Sequence, residues 1–152
     1  MALKVRVLAF SEGETIPKKF TCEGENVSPP VEWSEAPDNT KSFVLICDDP
    51  DAPMGVWNHW LLWDIPPGVT ALAERFTPGG TGVTGINDFG NPGYGGPCPP
   101  KGHGPHRYFF KVFAMDTERL GLKAGSRRTE LDRAMRGHVM GEAWAMGRYE
   151  RR

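Results

Sequence analysis

The sequence predicts a mainly β domain, built as a sheet sandwich or barrel-like core with one C-terminal helix. Three observations carry that prediction. Apolar and polar residues alternate over short stretches, the period of a half-buried strand. Turn formers are abundant, with 19 Gly and 14 Pro among 152 residues, a composition that favours many reversals over long helices. Only one segment carries a clear helical spacing. The length suits a single domain spanning 1–152, large enough to bury about 70% of the surface of the unfolded chain.

Taken in order, Leu3, Val5 and Val7 alternate with Lys4 and Arg6, so the chain opens with a half-buried strand. Gly13 to Lys19 is a connection. Pro29-Pro30 rules out a central strand at that point and implies an edge or an extended lead-in. Val31 and Trp33 then restart the alternation. Ser42 to Cys47 (SFVLIC) is a continuous apolar run of the length and branching of a buried strand. It stops at Asp48-Asp49-Pro50-Asp51-Ala52-Pro53, a stiff acidic corner. Trp57 to Ile65 (WNHWLLWDI) is the next strand. Strict alternation places Trp57, His59, Leu61 and Trp63 on one of its faces.

Val69 to Phe76 reads as a short strand or turn, and Thr77 to Asn87 as a Gly-rich connection. His106 to Asp116 alternates cleanly, with His106, Tyr108, Phe110, Val112 and Ala114 together on one face. Ser126 is the expected N-cap of a helix over Arg127 to Val139. Gly137 and Gly141 mark where it ends, and Glu142 to Tyr149 reads as the last strand. The total is roughly seven to nine strands and one helix.

Composition removes several function classes. A formal net charge of −1 gives no global attraction to nucleic acid or to an anionic membrane, and the arginines near the C-terminus read as a solvated face. No apolar run approaches the ~18 residues of a membrane span. The N-terminal MALKVRVLAFSEG lacks the apolar region and cleavage site of a secretory signal. The expectation is a cytoplasmic protein without integral membrane insertion. Its three cysteines, Cys22, Cys47 and Cys98, have no metal-ligand spacing and are expected to be reduced.

The chemistry concentrates in two stretches. The first is the acidic corner followed by Trp57-Asn58-His59. The second is Gly90 to Asp116, whose first half is almost all Gly and Pro, with Tyr94, Cys98, Lys101 and His103 among them. Two histidines and an aspartate from separate segments can converge on one small cavity. Imidazole N–H groups, the Tyr108 hydroxyl and backbone N–H groups of a Gly-rich loop all suit an oxyanion, with glycines permitting close approach. Asp49 is the awkward member beside an anion. It fits as an acceptor that orients a histidine so that the other ring nitrogen faces the ligand. Protonation of a histidine would strengthen anion binding as pH falls through about 6.5. Lys101 and His103 are expected to face water. Arg107 is expected in an ion pair with Asp49 or Asp51, and Tyr94 either to stack against the loop or to line the pocket.

These two stretches, DPDAP followed by WNH and then YGGPCPPKGHGPHRY, closely resemble the phosphatidylethanolamine-binding protein family. The likeness is to its short bacterial and archaeal Raf kinase inhibitor-like branch and covers nearly the whole chain; CEGENVSPPVEW also has the look of that branch. The resemblance implies two antiparallel sheets with a small anion pocket at one end, taking phosphate-like or carboxylate groups such as phosphoethanolamine. By motif position it implies that Asp49, Pro53, Trp57, His59, Cys98, Pro99, Pro100, His106 and Tyr108 bind the ligand. Cys98 stands where many relatives carry Gly, placing a thiol on the rim. The resemblance further implies a binding protein without catalytic residues or cofactor, a homodimer, and a role that includes regulation of a protein partner such as a kinase or protease. The alternative is a hydrolase. A metal-dependent one would use His59, His106, Asp49 and Asp51, although no close ligand pair such as H-x-H is present. A His/Asp-dependent one would use general acid–base chemistry, or a thiol nucleophile at Cys98 near His106.

Overall fold

A computed structural model describes residues 2–152. Among the described residues, eight strands and one α-helix are formed, with one 3-10 turn at Lys18–Phe20: β1 (Lys4–Val7), β2 (Val31–Ser34), β3 (Ser42–Asp49), β4 (Trp57–Ile65), β5 (Ala71–Leu72), β6 (Val83–Thr84), β7 (His106–Met115), α1 (Arg128–Met135) and β8 (Val139–Tyr149). They make two antiparallel sheets. The smaller has the order β1-β2-β5 and the larger β6-β4-β3-β7-β8. The segment read as a short strand or turn contributes the very short edge strand β5, and the segment read as a connection contributes β6.

The larger sheet is covered on both faces, which explains the continuous apolar run of β3. Phe43, Leu45 and Cys47 join Trp60, Leu62, Tyr108, Phe110 and Val112 in a core shared with Val7, Val31, Trp33 and Leu72 of the smaller sheet. Val44 and Ile46 point the other way and pack with Leu61, Trp63 and Met115 against Leu131 and Met135 of α1. Every residue of β3 is buried. A strand with both faces in apolar surroundings has no position left for a polar alternation.

The helix is shorter than its sequence pattern suggests. Arg136 leaves the helical region at φ −56°, ψ 129°, and Gly137 follows at φ +80°, a left-handed conformation that glycine adopts without a Cβ penalty. The chain then turns directly into β8, so His138 and Val139 lie outside the helix. Arg127, not Ser126, is the N-cap residue. Its backbone N–H donates to Glu130 Oε1 at 2.8 Å, while the Ser126 hydroxyl donates back to Lys123 O.

Two further expectations are corrected. Cys22 and Cys98 are joined in a disulfide, with Cα atoms 5.4 Å apart, and only Cys47 is a free thiol, buried in the core. Scattered spacing gave no sign of this, because the bond spans 76 residues and is made by tertiary packing. The face assignment of β4 also changes. Cys47 pairs with Trp60 but Asp48 pairs with Asn58, so one step on β3 is matched by two on β4, and His59 is the extra residue. Such a bulge re-aims the side chains on either side of it. Leu61 and Trp63 therefore pack toward the helix, whereas Trp57 and His59 turn to the opposite side, toward Tyr108.

Candidate functional site

The bulge and the ends of three neighbouring strands define a cavity of about 180 Å³, lined by Asp49, Ala52, Pro53, Trp57, His59, Phe89, Cys98, Pro99, Pro100, His106 and Tyr108. Asp49 closes β3, Trp57 and His59 open β4, and His106 and Tyr108 open β7. Because β4, β3 and β7 are adjacent in the sheet, these residues meet at one edge of it. All nine residues singled out in the sequence line this cavity. Ala52 and Phe89 were missed. Ala52 lies inside the acidic corner and carries no chemical signal. Phe89 does carry one, as a lone aromatic in the otherwise polar turn NDFGN, and its ring meets Trp57 and His59 edge-on at 5.5 and 5.4 Å between centroids.

The histidines are held by different means. His106 Nδ1 lies 2.7 Å from Asp49 Oδ2, both groups almost fully buried. The expected orienting role of Asp49 is thus met geometrically, but the other ring nitrogen does not face open space. His106 Nε2 is 2.6 Å from His103 Nδ1, and His103, exposed to water as expected, also completes an Asp49–His106–His103 chain. With His106 neutral and donating to Asp49, His103 is the donor to its Nε2. His59 Nδ1 donates to Gly95 O at 2.6 Å, which leaves Nε2 as its uncommitted nitrogen. Burial pushes the His59 imidazole below the usual histidine range, although the Gly95 carbonyl and the Asp49 charge pull the other way. Its protonation therefore falls at lower pH than the sequence reading assumed.

Besides His59 Nε2, two polar atoms on the cavity residues lack a partner. Among the described residues, Trp57 Nε1 and the Tyr108 hydroxyl are buried without a hydrogen bond. Burial first, and the Asp49 carboxylate second, hold the Tyr108 phenol protonated far above its ordinary range. It is therefore a donor at any physiological pH.

The Gly-rich loop behaves differently from the expectation that its N–H groups would face an anion. Gly95 N–H donates to His59 O at 2.9 Å and Gly96 N–H to Asn26 Oδ1 at 2.8 Å. A Cβ on Gly96 would collide with Phe20 O and Asn26 Oδ1. That glycine is needed for packing of loop against loop. The lip that follows is fixed by the Cys22–Cys98 bond, by Cys22 N–H donating to Pro97 O at 3.1 Å, and by Arg151 Nε donating to Pro99 O at 2.6 Å. Cys98 therefore brings a disulfide sulfur, not a thiol, to the cavity wall. Tyr94 belongs to neither the lip nor the pocket. Its ring packs edge-on to Trp60 and its hydroxyl donates to Phe20 O at 2.7 Å. Arg107 pairs with Asp51, accepting no role in the cavity: its Nε and Nη2 reach the two carboxylate oxygens at 2.9 and 2.8 Å.

A family model, that of the phosphatidylethanolamine-binding proteins, matches residues 7–150. The chain belongs to that family. Similar sequences include a UPF0098 protein of Aquifex aeolicus, 51% identical over 94% of this chain and 85% of that protein. Another from Methanothermobacter thermautotrophicus is 46% identical over 98% of this chain and 99% of that protein. Among solved structures, the phosphatidylethanolamine-binding protein homolog CT736 of Chlamydia trachomatis is 40% identical with a TM-score of 0.91, covering 99% of each chain. YbcL of Escherichia coli, described as a new member of the mammalian family, is 34% identical with a TM-score of 0.93, covering 100% of each chain. The mainly β architecture of two antiparallel sheets is thus that of the phosphatidylethanolamine-binding proteins. Among the described residues, no helix is long and apolar enough to cross a membrane.

Proposed function

We propose that this phosphatidylethanolamine-binding protein family member is a non-enzymatic binding protein whose cavity receives a small oxyanion, a phosphate-like or carboxylate group of the phosphoethanolamine type. The observation that carries this reading is the pair of unpartnered donors, Trp57 Nε1 and the Tyr108 hydroxyl, on residues that line a cavity of about 180 Å³. A buried donor without an acceptor costs about 1–3 kcal/mol, and an oxyanion in the cavity would recover that cost twice. The hydrolase alternative loses its thiol nucleophile, because Cys98 is half of a disulfide. Its metal-dependent form finds no donor set among the described residues, where no three His, Cys, Asp or Glu side chains stand in a ligating group.

Titration calorimetry at about pH 5, where the phosphoryl groups of inorganic phosphate and phosphoethanolamine are both singly ionised, tests the reading. Binding is expected, and Tyr108→Phe should weaken it about tenfold, the equivalent of one ordinary hydrogen bond of about 1.4 kcal/mol. No heat for either ligand, or equal affinity in the variant, would refute it. An esterase and phosphatase screen is expected to show no turnover.

Regulation of a kinase or protease and pairing as a homodimer rest on the family likeness. Competition of a captured partner by phosphoethanolamine tests the first, and light scattering the second. Cytoplasmic residence and the disulfide pull in opposite directions, since such bonds usually persist in oxidising compartments or in hyperthermophile cytosol. Thiol trapping in fractionated cells decides between them.

A further inference from the structure

The charge inventory of the cavity says more than that it takes an anion. Its lining holds a carboxylate, Asp49, and no lysine or arginine. Of the nearby cations, Arg107 is spent on both oxygens of Asp51, Arg151 on the Pro99 carbonyl behind the lip, and Lys101, next to Pro100, is exposed and outside the lining. Asp88 adds a further carboxylate next to β4, where its Oδ2 accepts from both nitrogens of Asn58. No helix N-terminus is among the lining segments, and the N–H groups of Gly95, Gly96, Gly102 and His103 in the loop donate within the protein. The donor-bearing side chains of Trp57, Tyr108 and His59 in the lining carry no positive charge to set against an anion while His59 is neutral.

His106 does not change this balance. While it is neutral, the Asp49–His106–His103 chain carries one negative charge. If one proton is taken up, on His106 or on His103, the chain becomes neutral; protons on both would set two N–H groups against each other across the 2.6 Å contact. In neither state does that chain hold a surplus positive charge to set against a second negative one. Sites that take doubly charged phosphoryl groups do so with Arg, Lys, a metal ion or a helix N-terminus, and two like charges a few ångströms apart in a partly buried site repel strongly.

We propose that this cavity selects singly charged oxyacid groups, meaning carboxylates, phosphodiesters and singly ionised phosphoryl groups, against doubly charged phosphomonoesters. The inference rests on the oxyanion reading above and narrows its ligand class. The shared chemistry is one negative charge with at least two acceptor oxygens. A lipid phosphodiester and a free carboxylate both possess it.

The test compares dimethyl phosphate, a monoanion throughout, with methyl phosphate, whose second ionisation lies near pH 6. Calorimetric affinities are measured for both on the intact, oxidised chain at about pH 5 and about pH 8, on either side of that ionisation. Taking the ratio of the two affinities at each pH cancels any change in the protein's own histidines, and comparing the two ratios cancels the difference in ligand size. The ratio of diester to monoester affinity is expected to rise at least tenfold from the lower pH to the higher. In Asp49→Asn that rise should shrink. A ratio that stays constant, or falls, overturns the selectivity while leaving anion binding intact. Failure of both ligands to bind at either pH overturns the oxyanion reading itself, and the selectivity with it.

Discussion

Replacing Cys22 and Cys98 together by serine removes a cross-link that closes a long loop in the unfolded chain. The two residues are 76 apart in sequence, and the chain-entropy relation for a loop of that size gives about 4.5 kcal/mol. In a domain of this length each kcal/mol moves the melting temperature by about 2–4 °C, so the loss should be about 9–18 °C. The folded state should survive. The lip is still tied by Cys22 N–H to Pro97 O and by Arg151 Nε to Pro99 O, and Gly96 N–H still reaches Asn26. Urea denaturation of the wild type, with and without a dithiol reductant, and of the double variant is the assay. The reduced wild type and the variant should melt together, well below the oxidised protein. A difference below about 1 kcal/mol, against the expected value of about 4.5, would refute the reasoning. It would mean that the bond is not formed or that the unfolded chain is not restrained by it.

Two further outcomes are expected. The Asp48 carboxylate is buried, with Arg128 Nη1 at 2.9 Å and Lys111 Nζ at 3.0 Å, and Arg128 also donates to Asn58 Oδ1. Arg128→Met should therefore cost about 3 kcal/mol and Lys111→Met clearly less; equal losses in urea titrations would count against the assignment. Near the surface, hydrogen bonds from Arg107 hold the Asp51 carboxyl down from its ordinary 3.8 to about 2. A depressed folded-state value contributes stability above the unfolded-state pKa and loses it as pH falls toward the folded one. The stability gap between wild type and Asp51→Asn should be small but constant at neutral pH, and close between about pH 4 and pH 2; a gap unchanged in acid would refute it.

How much of this was legible in the sequence depends on the range of the interaction responsible. The run SFVLIC and the alternation from His106 to Ala114 are local patterns, and they gave β3 and the buried face of β7 directly. The two motif stretches led to nine residues that do share one cavity, because short motifs fix which side chains sit at strand ends. What stayed hidden was set by pairing across the sheet. The bulge at His59 exists only relative to Asp48 on the neighbouring strand, so strict period-two counting put Trp57 with Leu61 and Trp63. The Cys22–Cys98 bond and the contact of His103 with His106 likewise come from folding back of loops. The glycines of the loop were attributed to a ligand, yet Gly96 answers to Phe20 and Asn26.

The burial of β3 has a kinetic side. Strands covered on both faces exchange their amide hydrogens only when the whole domain opens, and Asp49 is the last residue of such a strand, paired to β4 on one side, with β7 on its other flank over most of its length. The carboxylate and both histidines thus ride on or beside the slowest-opening part of the molecule, while Phe89 and the segment through Pro100 to Gly104 run outside any strand. A ligand would meet walls already set before it arrived. Hydrogen exchange followed during titration should slow at the lip and the Phe89 turn and leave β3 unchanged, so that residence time is governed by the rim alone.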